Sequence, residues 1–168
     1  MQPPVDLVVS SYDSEAELKA MYDPAMTRTL KDLAKNKAQV HFGVDVQKLI
    51  GEELRERLDS ERTGFDRIVW NFPHAGFPDE QKNEERGPGF EWGDDYTCKH
   101  SALLEVFFAG AKSWLREGGL IIVTHKTIEP FSLWDVPGLA AKNGFALKQT
   151  IKFDLDHYPG YFNRKGAG

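Results

Sequence analysis

Residues 65–74 read Phe-Asp-Arg-Ile-Val-Trp-Asn-Phe-Pro-His, an apolar run that stops at an Asn-aromatic-Pro-His sequence. Its first six residues favour β structure and follow a Thr-Gly pair, so the pattern predicts a buried strand over residues 65–70. Pro73 has no N–H to donate to a sheet, and it ends the strand. Residues 71–74 are therefore predicted to lie at the carboxyl end of a strand, where open parallel sheets bind their ligands.

On both sides of this stretch, strand patterns alternate with helix patterns. One helix is predicted from the Ser14 capping box to Lys35-Asn36-Lys37, because its apolar residues recur at three-to-four spacing. The uninterrupted apolar run 120–124 predicts a strand buried on both faces, and the alternating run 146–153 predicts a half-exposed edge strand. The predicted strands are residues 5–10, 38–42, 65–70, 120–124 and 146–153, and the other predicted helices are residues 46–58, 98–117 and 133–142.

This alternation predicts one α/β domain over residues 1–168, with a Rossmann-like, doubly wound and mostly parallel sheet. Residues 76–97 are rich in Gly, Pro, Asp and Glu and are too long for a plain connection, so they are predicted to be a flexible loop.

Composition narrows the class of protein. The chain is 40% hydrophobic and 28% charged, values typical of a soluble globular domain, and it has no apolar run of the length that crosses a membrane. Its net charge of −5 argues against a protein that coats nucleic acid through bulk electrostatics. Cys98 is the only cysteine and the histidines show no metal-ligand spacing, so we expect no disulfide, no metal site and a reducing compartment, the nucleus or the cytoplasm.

Polar residues follow the other predicted strands. Asp13 follows the first strand, where a carboxylate can bind the two hydroxyls of a ribose or cap the next helix. Val44 and Asp45 follow the second strand, and Asp45 has the same two alternatives, adenine binding or capping. His125 and Lys126 follow the fourth strand, where a histidine can be structural or catalytic and a lysine can meet a phosphate or only line a charged rim.

The run Asn71, Phe72, Pro73 and His74 is the most specific feature. Asn71 offers an amide donor and an acceptor, Phe72 a stacking face, Pro73 a rigid backbone and His74 a titratable group. This combination suits a site that holds the edge of a planar base.

Near the carboxyl terminus, Tyr158, Tyr161 and Arg164 form either a stacking platform for a nucleotide or an aromatic hairpin that packs on the core. Four nearby cations are either a local basic strip that holds an RNA segment or ordinary surface charge: Lys148, Lys152, Arg164 and Lys165.

Together these runs resemble the domain of eukaryotic large-subunit ribosomal RNA uridine-N3 methyltransferases over nearly the whole chain. The runs are VVSSYDS, HFGVDVQKL, FDRIVWNFPHAGF, LLEVFFAGAKSWL, IIVTHK and YPGYFNRKG. The resemblance implies a class I methyltransferase fold, S-adenosylmethionine as methyl donor and an RNA base, in ribosomal RNA, as acceptor. It implies that Asp13 binds the cofactor ribose and Asp45 the adenine edge, with residues 71–74 beside the target base. His74, or else His125, would take the N3 proton, and Asn71 or Lys126 would stabilise the resulting oxyanion.

The sequence departs from the family pattern at its beginning. Family members open with a strand and a Gly-rich loop that wraps the methionine part of the cofactor, whereas this sequence opens at the second strand of the pattern. We therefore expect two half-sheets in place of one sheet. We interpret the difference as a truncation, and the alternatives are a rearranged sheet closed by direct strand pairing or completion of the sheet by another chain. A truncated chain is expected to bind S-adenosylmethionine poorly. A non-catalytic binding module with the same fold is the main alternative. A nicotinamide-dependent oxidoreductase is less consistent with the Asn-Phe-Pro-His run.

Overall fold

Each of the two units into which the chain divides, Met1–Thr63 and Gly64–Gly168, contains one pair of parallel strands. The computed structural model describes residues 6–59, 61, 63–76 and 94–161. Parallel strands require a crossover connection, and helices supply it in both units. The predicted α/β class is therefore confirmed within each unit.

In the first unit, β1 (Val8–Ser10) pairs with β2 (Gln39–His41), with Val9 opposite Val40. Two helices connect the strands, α1 (Glu15–Tyr22) and α2 (Ala25–Lys35). The prediction of a single helix here is wrong, because Pro24 lies between the two. A proline in a helix interior lacks the N–H donor and clashes with the preceding turn, which overrides the continuous apolar stripe.

The second helical region of this unit is also divided. The prediction of one helix over residues 46–58 is wrong, since a 3-10 turn, Val46–Lys48, is followed at Gly51 by the separate helix α3 (Glu52–Leu58). Glycine costs about 1 kcal/mol relative to alanine in a helix interior, and here it stands just before the first helical residue. Leu54 is the buried residue of α3.

In the second unit, β3 (Phe65–Asn71) pairs with β4 (Leu115–Thr124), and α4 (Asp94–Ala111) precedes β4. The predicted boundaries 98–117 of that helix are wrong at both ends. A 3-10 turn, Lys112–Trp114, follows Ala111, and Leu115 already pairs with Phe65. Trp114 is buried and stacks on Phe65 at 6.2 Å, so the chain leaves the helix early to place these rings together.

The two faces of this strand pair differ in burial. On one face Trp70 contacts Phe107 of α4, with ring centroids 4.4 Å apart. On the other face Val69 is 56% exposed and its partner Ile122 is 45% exposed. The prediction that residues 120–124 are buried on both faces is therefore wrong, because within this unit the face that carries Val69 and Ile122 is open.

After β4 the chain forms a 3-10 turn, Phe131–Trp134, and then α5 (Val136–Lys142), whose N-terminus is capped by the Asp135 side chain. The predicted helix over residues 133–142 is thus largely confirmed. The predicted strand over residues 146–153 is wrong: these residues belong to no strand, and every one of them is exposed. Alternating apolar residues indicate a strand only where a neighbouring backbone edge is present to pair with it.

The described residues form two separate two-stranded parallel sheets, not one doubly wound sheet. This agrees with the expected division into half-sheets and with a methyltransferase-like arrangement of parallel strands. Of the predicted loop 76–97, residues 77–93 lie outside the described residues, and the residues from Asp94 onward are helical. No helix within the described ranges has the length and apolar character needed to cross a membrane.

Candidate functional site

The loops after β1 and β2 are joined by backbone hydrogen bonds, which bring together the three residues predicted to bind a cofactor. Val44 N–H donates to the carbonyl of Ser11 at 2.8 Å, and Gly43 N–H donates to the carbonyl of Asp13 at 3.4 Å. Val44 is buried, while Asp13 and Asp45 are half-buried. Asp13, Val44 and Asp45 therefore lie at the same edge of the β1–β2 sheet.

Capping separates the roles of the two carboxylates. Ser14, not Asp13, caps α1: its hydroxyl accepts from Glu17 N–H and the Glu17 carboxylate accepts from Ser14 N–H. Asp13 therefore does not cap α1. Asp45 does cap the turn that follows it, because its Oδ1 accepts from Gln47 N–H at 2.9 Å.

A cavity of about 320 Å³ lies beside Asp45. Gly43, Gln47, Lys48, Leu54 and Arg57 are among the residues that line it. Small-molecule sites usually measure about 300–1,000 Å³, so this cavity is large enough for a nucleoside portion and small for a whole dinucleotide-sized ligand. Of the three residues predicted to bind the cofactor, Asp45 lines this cavity, while Asp13 and Val44 are not among its lining residues.

In the second unit, the residue that ends β3 is tied to the residue that ends β4. Thr124 Oγ1 donates to Asn71 Oδ1 at 2.8 Å, and Phe72 N–H donates to the carbonyl of Thr124, also at 2.8 Å. The segments after Trp70 and Thr124 therefore meet at one end of the β3–β4 pair. Because the Asn71 carbonyl oxygen accepts from Thr124, the amide N–H groups of Asn71 are the donors that remain for a ligand.

Phe72 has a left-handed backbone conformation, with φ of 52°. A bulky residue rarely adopts positive φ, and such strain, of about 1–3 kcal/mol, is often found at functional sites. Pro73 next to it is buried, whereas Asn71 and His74 are exposed. This turn directs the chain so that Asn71 stays on the sheet edge while His74 meets α4.

His74 is held from both sides of its ring. Its Nδ1 accepts from Gly76 N–H at 2.9 Å, and its Nε2 lies 3.2 Å from the hydroxyl of Tyr96. A nitrogen that accepts from a backbone N–H carries no proton, so the neutral ring is protonated on Nε2 and donates to Tyr96. Taking up a further proton on Nδ1 requires the bond to Gly76 to break.

His125 carries its ring proton on the same nitrogen as His74 does. Its Nε2 lies 2.8 Å from the carbonyl of Phe131, and since a carbonyl only accepts, Nε2 carries the proton. The lone pair of the neutral ring is then on Nδ1. Lys126 lies nearby on the same aromatic residue, with its Nζ 4.6 Å from the centre of the Phe131 ring. Phe131 therefore positions both of the polar residues that follow β4.

A buried layer that sequence reasoning missed lies under these histidines. Tyr96, His100 and Trp134 are each at most 1% exposed, and His100 stacks on Trp134 at 4.0 Å and lies 4.4 Å from the His74 ring. His100 Nδ1 donates to the carbonyl of Tyr96 at 2.6 Å. Burial lowers the pKa of His100 to about 4, so it is neutral near pH 7. His100 lies four residues before Leu104 and so continues the apolar stripe of α4. This spacing was the sequence signal that could have identified His100 as buried.

The predicted stacking residues also lie near the Asn-Phe-Pro-His turn. Tyr161 stacks on Phe72 at 6.5 Å, and Phe153 links Tyr161 to Tyr158. Arg164 lies outside the described residues. Sequence reasoning did not single out Phe153. Within the described ranges, no cluster of His, Cys, Asp and Glu side chains is suited to hold a metal ion.

Comparison with known proteins then decides the family. The sequence profile of the family described as rRNA (uridine-N3-)-methyltransferase BTM5-like matches residues 1–165. The chain belongs to this family. The resemblance stated from the sequence is therefore confirmed, and it argues against a nicotinamide-dependent oxidoreductase.

Similar proteins come from plants and yeast. An uncharacterized Arabidopsis thaliana protein is 35% identical over 164 residues, which cover 98% of this chain and 72% of that protein. The heavy metal-associated isoprenylated plant protein 41 of Arabidopsis thaliana is also 35% identical, over 97% of this chain and 28% of its own length. The Saccharomyces cerevisiae 25S rRNA (uridine(2634)-N(3))-methyltransferase is 27% identical over 95% of this chain and 58% of its own length. No solved structure matches the chain significantly.

Proposed function

We propose that this chain is an S-adenosylmethionine-dependent methyltransferase that methylates N3 of a uridine in ribosomal RNA. Membership of the family supports the reaction class. The observation that carries the proposal is the hydrogen bond from Thr124 to Asn71 at the ends of two paired strands, since it fixes an amide donor beside a strained Phe72. A nucleolar, nuclear or cytoplasmic location accords with a ribosomal RNA substrate.

The first unit would hold the cofactor through Asp13 and Asp45. The Asp13 carboxylate would accept from the ribose hydroxyls, and the Asp45 oxygen that does not bind Gln47 would accept from the adenine amine. Val44, the residue before Asp45, supplies a buried apolar side chain. Bound S-adenosylmethionine supplies an electrophilic methyl group on a sulfonium centre.

The residues of the second unit would act on the base. Uridine N3–H is weakly acidic, so the reaction requires this proton to be removed as the new N3–C bond forms. Loss of the proton places negative charge on the carbonyl oxygens O2 and O4. Asn71 would donate its amide N–H to one of these oxygens, and Lys126 is a second candidate for that role. Phe72 and Pro73 would hold the base plane against the strand end.

Two histidines are candidates for the group that accepts the N3 proton, and their hydrogen bonds distinguish them. His125 holds its lone pair on Nδ1, whereas the corresponding lone pair of His74 is engaged by Gly76 N–H. This favours His125 as the base and gives His74 a role in orienting the turn through Tyr96. Tyr158, Tyr161 and Arg164 would contact the RNA around the target.

Replacement of each histidine by glutamine tests this assignment. We expect His125→Gln to lower the turnover of RNA methylation by about 100-fold or more and to leave the affinity for S-adenosylmethionine unchanged. His74→Gln keeps a hydrogen-bonding amide and is expected to cost less, about tenfold. Single-turnover methyl transfer and calorimetry with the cofactor measure the two quantities. Unchanged turnover in both variants would remove the histidines from the mechanism.

A further inference from the structure

The segment over residues 146–161 is exposed along its whole length and belongs to no strand. Its aliphatic side chains stand apart in solvent, with Leu147 68% exposed and Ile151 74% exposed. Its aromatic side chains are arranged differently, because they contact one another and Phe72. We call Phe72, Phe153, Tyr158 and Tyr161 the aromatic surface.

The rings of the aromatic surface hold one another in alternating orientations. Phe153 and Tyr158 are stacked, with centroids 4.9 Å apart and planes 13° apart, and Phe72 and Tyr161 are stacked at 6.5 Å and 20°. Phe153 meets Phe72 edge-on at 5.8 Å and thereby joins the two pairs. The rings are nevertheless open to solvent, with Tyr158 52% exposed, Tyr161 39% and Phe153 36%. Aromatic rings that pack against one another and are also exposed to solvent form a preformed stacking platform.

We propose that the aromatic surface binds unpaired RNA bases next to the methylated nucleotide. This rests on the proposed function, because Phe72 connects the surface to Asn71. N3 of uridine lies on the Watson–Crick edge, so a base presented for methylation is unpaired, and its neighbours lose part of their own stacking. Aromatic side chains replace such stacking without regard to base identity.

Charge around the surface favours stacking over phosphate attraction as the source of affinity. Lys148 and Lys152 lie on the same segment, but Asp154 and Asp156 follow them, and the charges of the four side chains cancel. Two lysines that each neutralise one phosphate would give a salt slope of only about −1.4 in a plot of log affinity against log salt concentration. We therefore expect RNA binding at this surface to persist at moderate salt.

Binding of a fluorescently labelled, unstructured 12-nucleotide oligouridine, measured by anisotropy without S-adenosylmethionine, tests the proposal. Phe153→Leu and Tyr158→Leu keep apolar area and remove the aromatic face, so each should weaken binding about 5- to 150-fold. Tyr158→Phe should bind as the unchanged protein does. Leu147→Ala and Ile151→Ala, on the same segment and outside the surface, should have no effect.

Two outcomes would overturn the proposal. One is equal binding by the leucine variants and the unchanged protein while their denaturation midpoints show that they are folded. The other is equal loss of binding in Ile151→Ala and Phe153→Leu, which would show that RNA binding depends on the apolar segment as a whole and not on its aromatic rings. Because this measurement needs no methyl transfer, a protein that binds RNA through the aromatic surface but forms no methyluridine would contradict only the proposed function.

Discussion

Asn71 and Thr124 are the pair of side chains on which the proposed chemistry depends most closely. If Asn71 donates to a uracil oxyanion, Asn71→Ala should lower the methyl-transfer rate about 100- to 1,000-fold, the effect of removing one preorganised donor. Thr124→Val removes only the hydroxyl that orients the amide, so we expect a smaller loss, about tenfold. Single-turnover assays measure both rates.

Thr124→Ser is the matched control for this pair because it keeps the hydroxyl that donates to Asn71. It should react at nearly the rate of the unchanged protein. A Thr124→Ser variant as slow as Thr124→Val would show that the methyl group of threonine, and not its hydrogen bond, is what the site requires.

His100 makes the stability of the fold depend on pH. Burial lowers its pKa from 6.5 to about 4, so between these values the unfolded chain binds the proton more tightly than the folded one. The contribution of His100 to the stability of the fold is therefore fully present above about pH 6.5 and is lost as the pH falls toward 4. The loss between pH 7.5 and pH 5 should be about 2 kcal/mol, measured by urea denaturation at the two pH values.

His100→Gln isolates this contribution, since the amide can still donate to the carbonyl of Tyr96. Burial also lowers the pKa of His41, with a smaller effect from the charge of Arg57, and this acts in the same direction in both proteins. The free energy of unfolding should thus depend less on pH in the variant, and the difference should equal the contribution of His100. An identical decline in both proteins would contradict the account of His100.

At this scale the sequence indicated part of the site. Asn71, Phe72 and His74 were predicted from local order alone, because the end of a strand and a proline turn are local signals. Tyr96 and Trp134 were missed, because what makes them important is contact across more than twenty residues of sequence with His74. Local periodicity does not encode such contacts.

Among the elements, α4 stabilises the β3–β4 pair on one face only. Phe107 is 4% exposed and contacts Trp70, so Phe107→Ala should lower the free energy of unfolding by about 3–5 kcal/mol. Ile122→Thr changes the open face of the same sheet and should cost no more than about 0.5 kcal/mol. Denaturant midpoints of the two variants test this asymmetry. Comparable losses would mean that the face of Ile122 is covered in solution.

Element types were more predictable than element boundaries. The apolar stripe of residues 18–33 continues through Pro24, so periodicity alone joined α1 and α2, although proline chemistry separates them. The helix predicted over residues 98–117 was expected to end before Gly118 and Gly119, yet these glycines lie within β4, where Gly118 adopts φ of 73°. In each case a tertiary requirement or a single backbone constraint outweighed the pattern.

For the whole molecule, parallel pairing and the division into two half-sheets were predictable from the sequence, whereas the predicted edge strand was wrong. Strands joined by helices lead to parallel neighbours, and both pairs, β1 with β2 and β3 with β4, have this arrangement. Which pairs join into one sheet depends on backbone edges far apart in sequence. The prediction of an edge strand over residues 146–153 was wrong for the same reason, since its pattern was present and none of the described strands pairs with it.

The most direct test of the central claim is nucleoside mass spectrometry of ribosomal RNA after incubation with this chain and S-adenosylmethionine, at a cofactor concentration that calorimetry shows to saturate the protein. The proposed function predicts 3-methyluridine at a single position, and much less of it with Asn71→Ala. No 3-methyluridine, methylation at another atom, or an equal yield from Asn71→Ala would contradict the assignment of the Asn-Phe-Pro-His turn as the reaction centre.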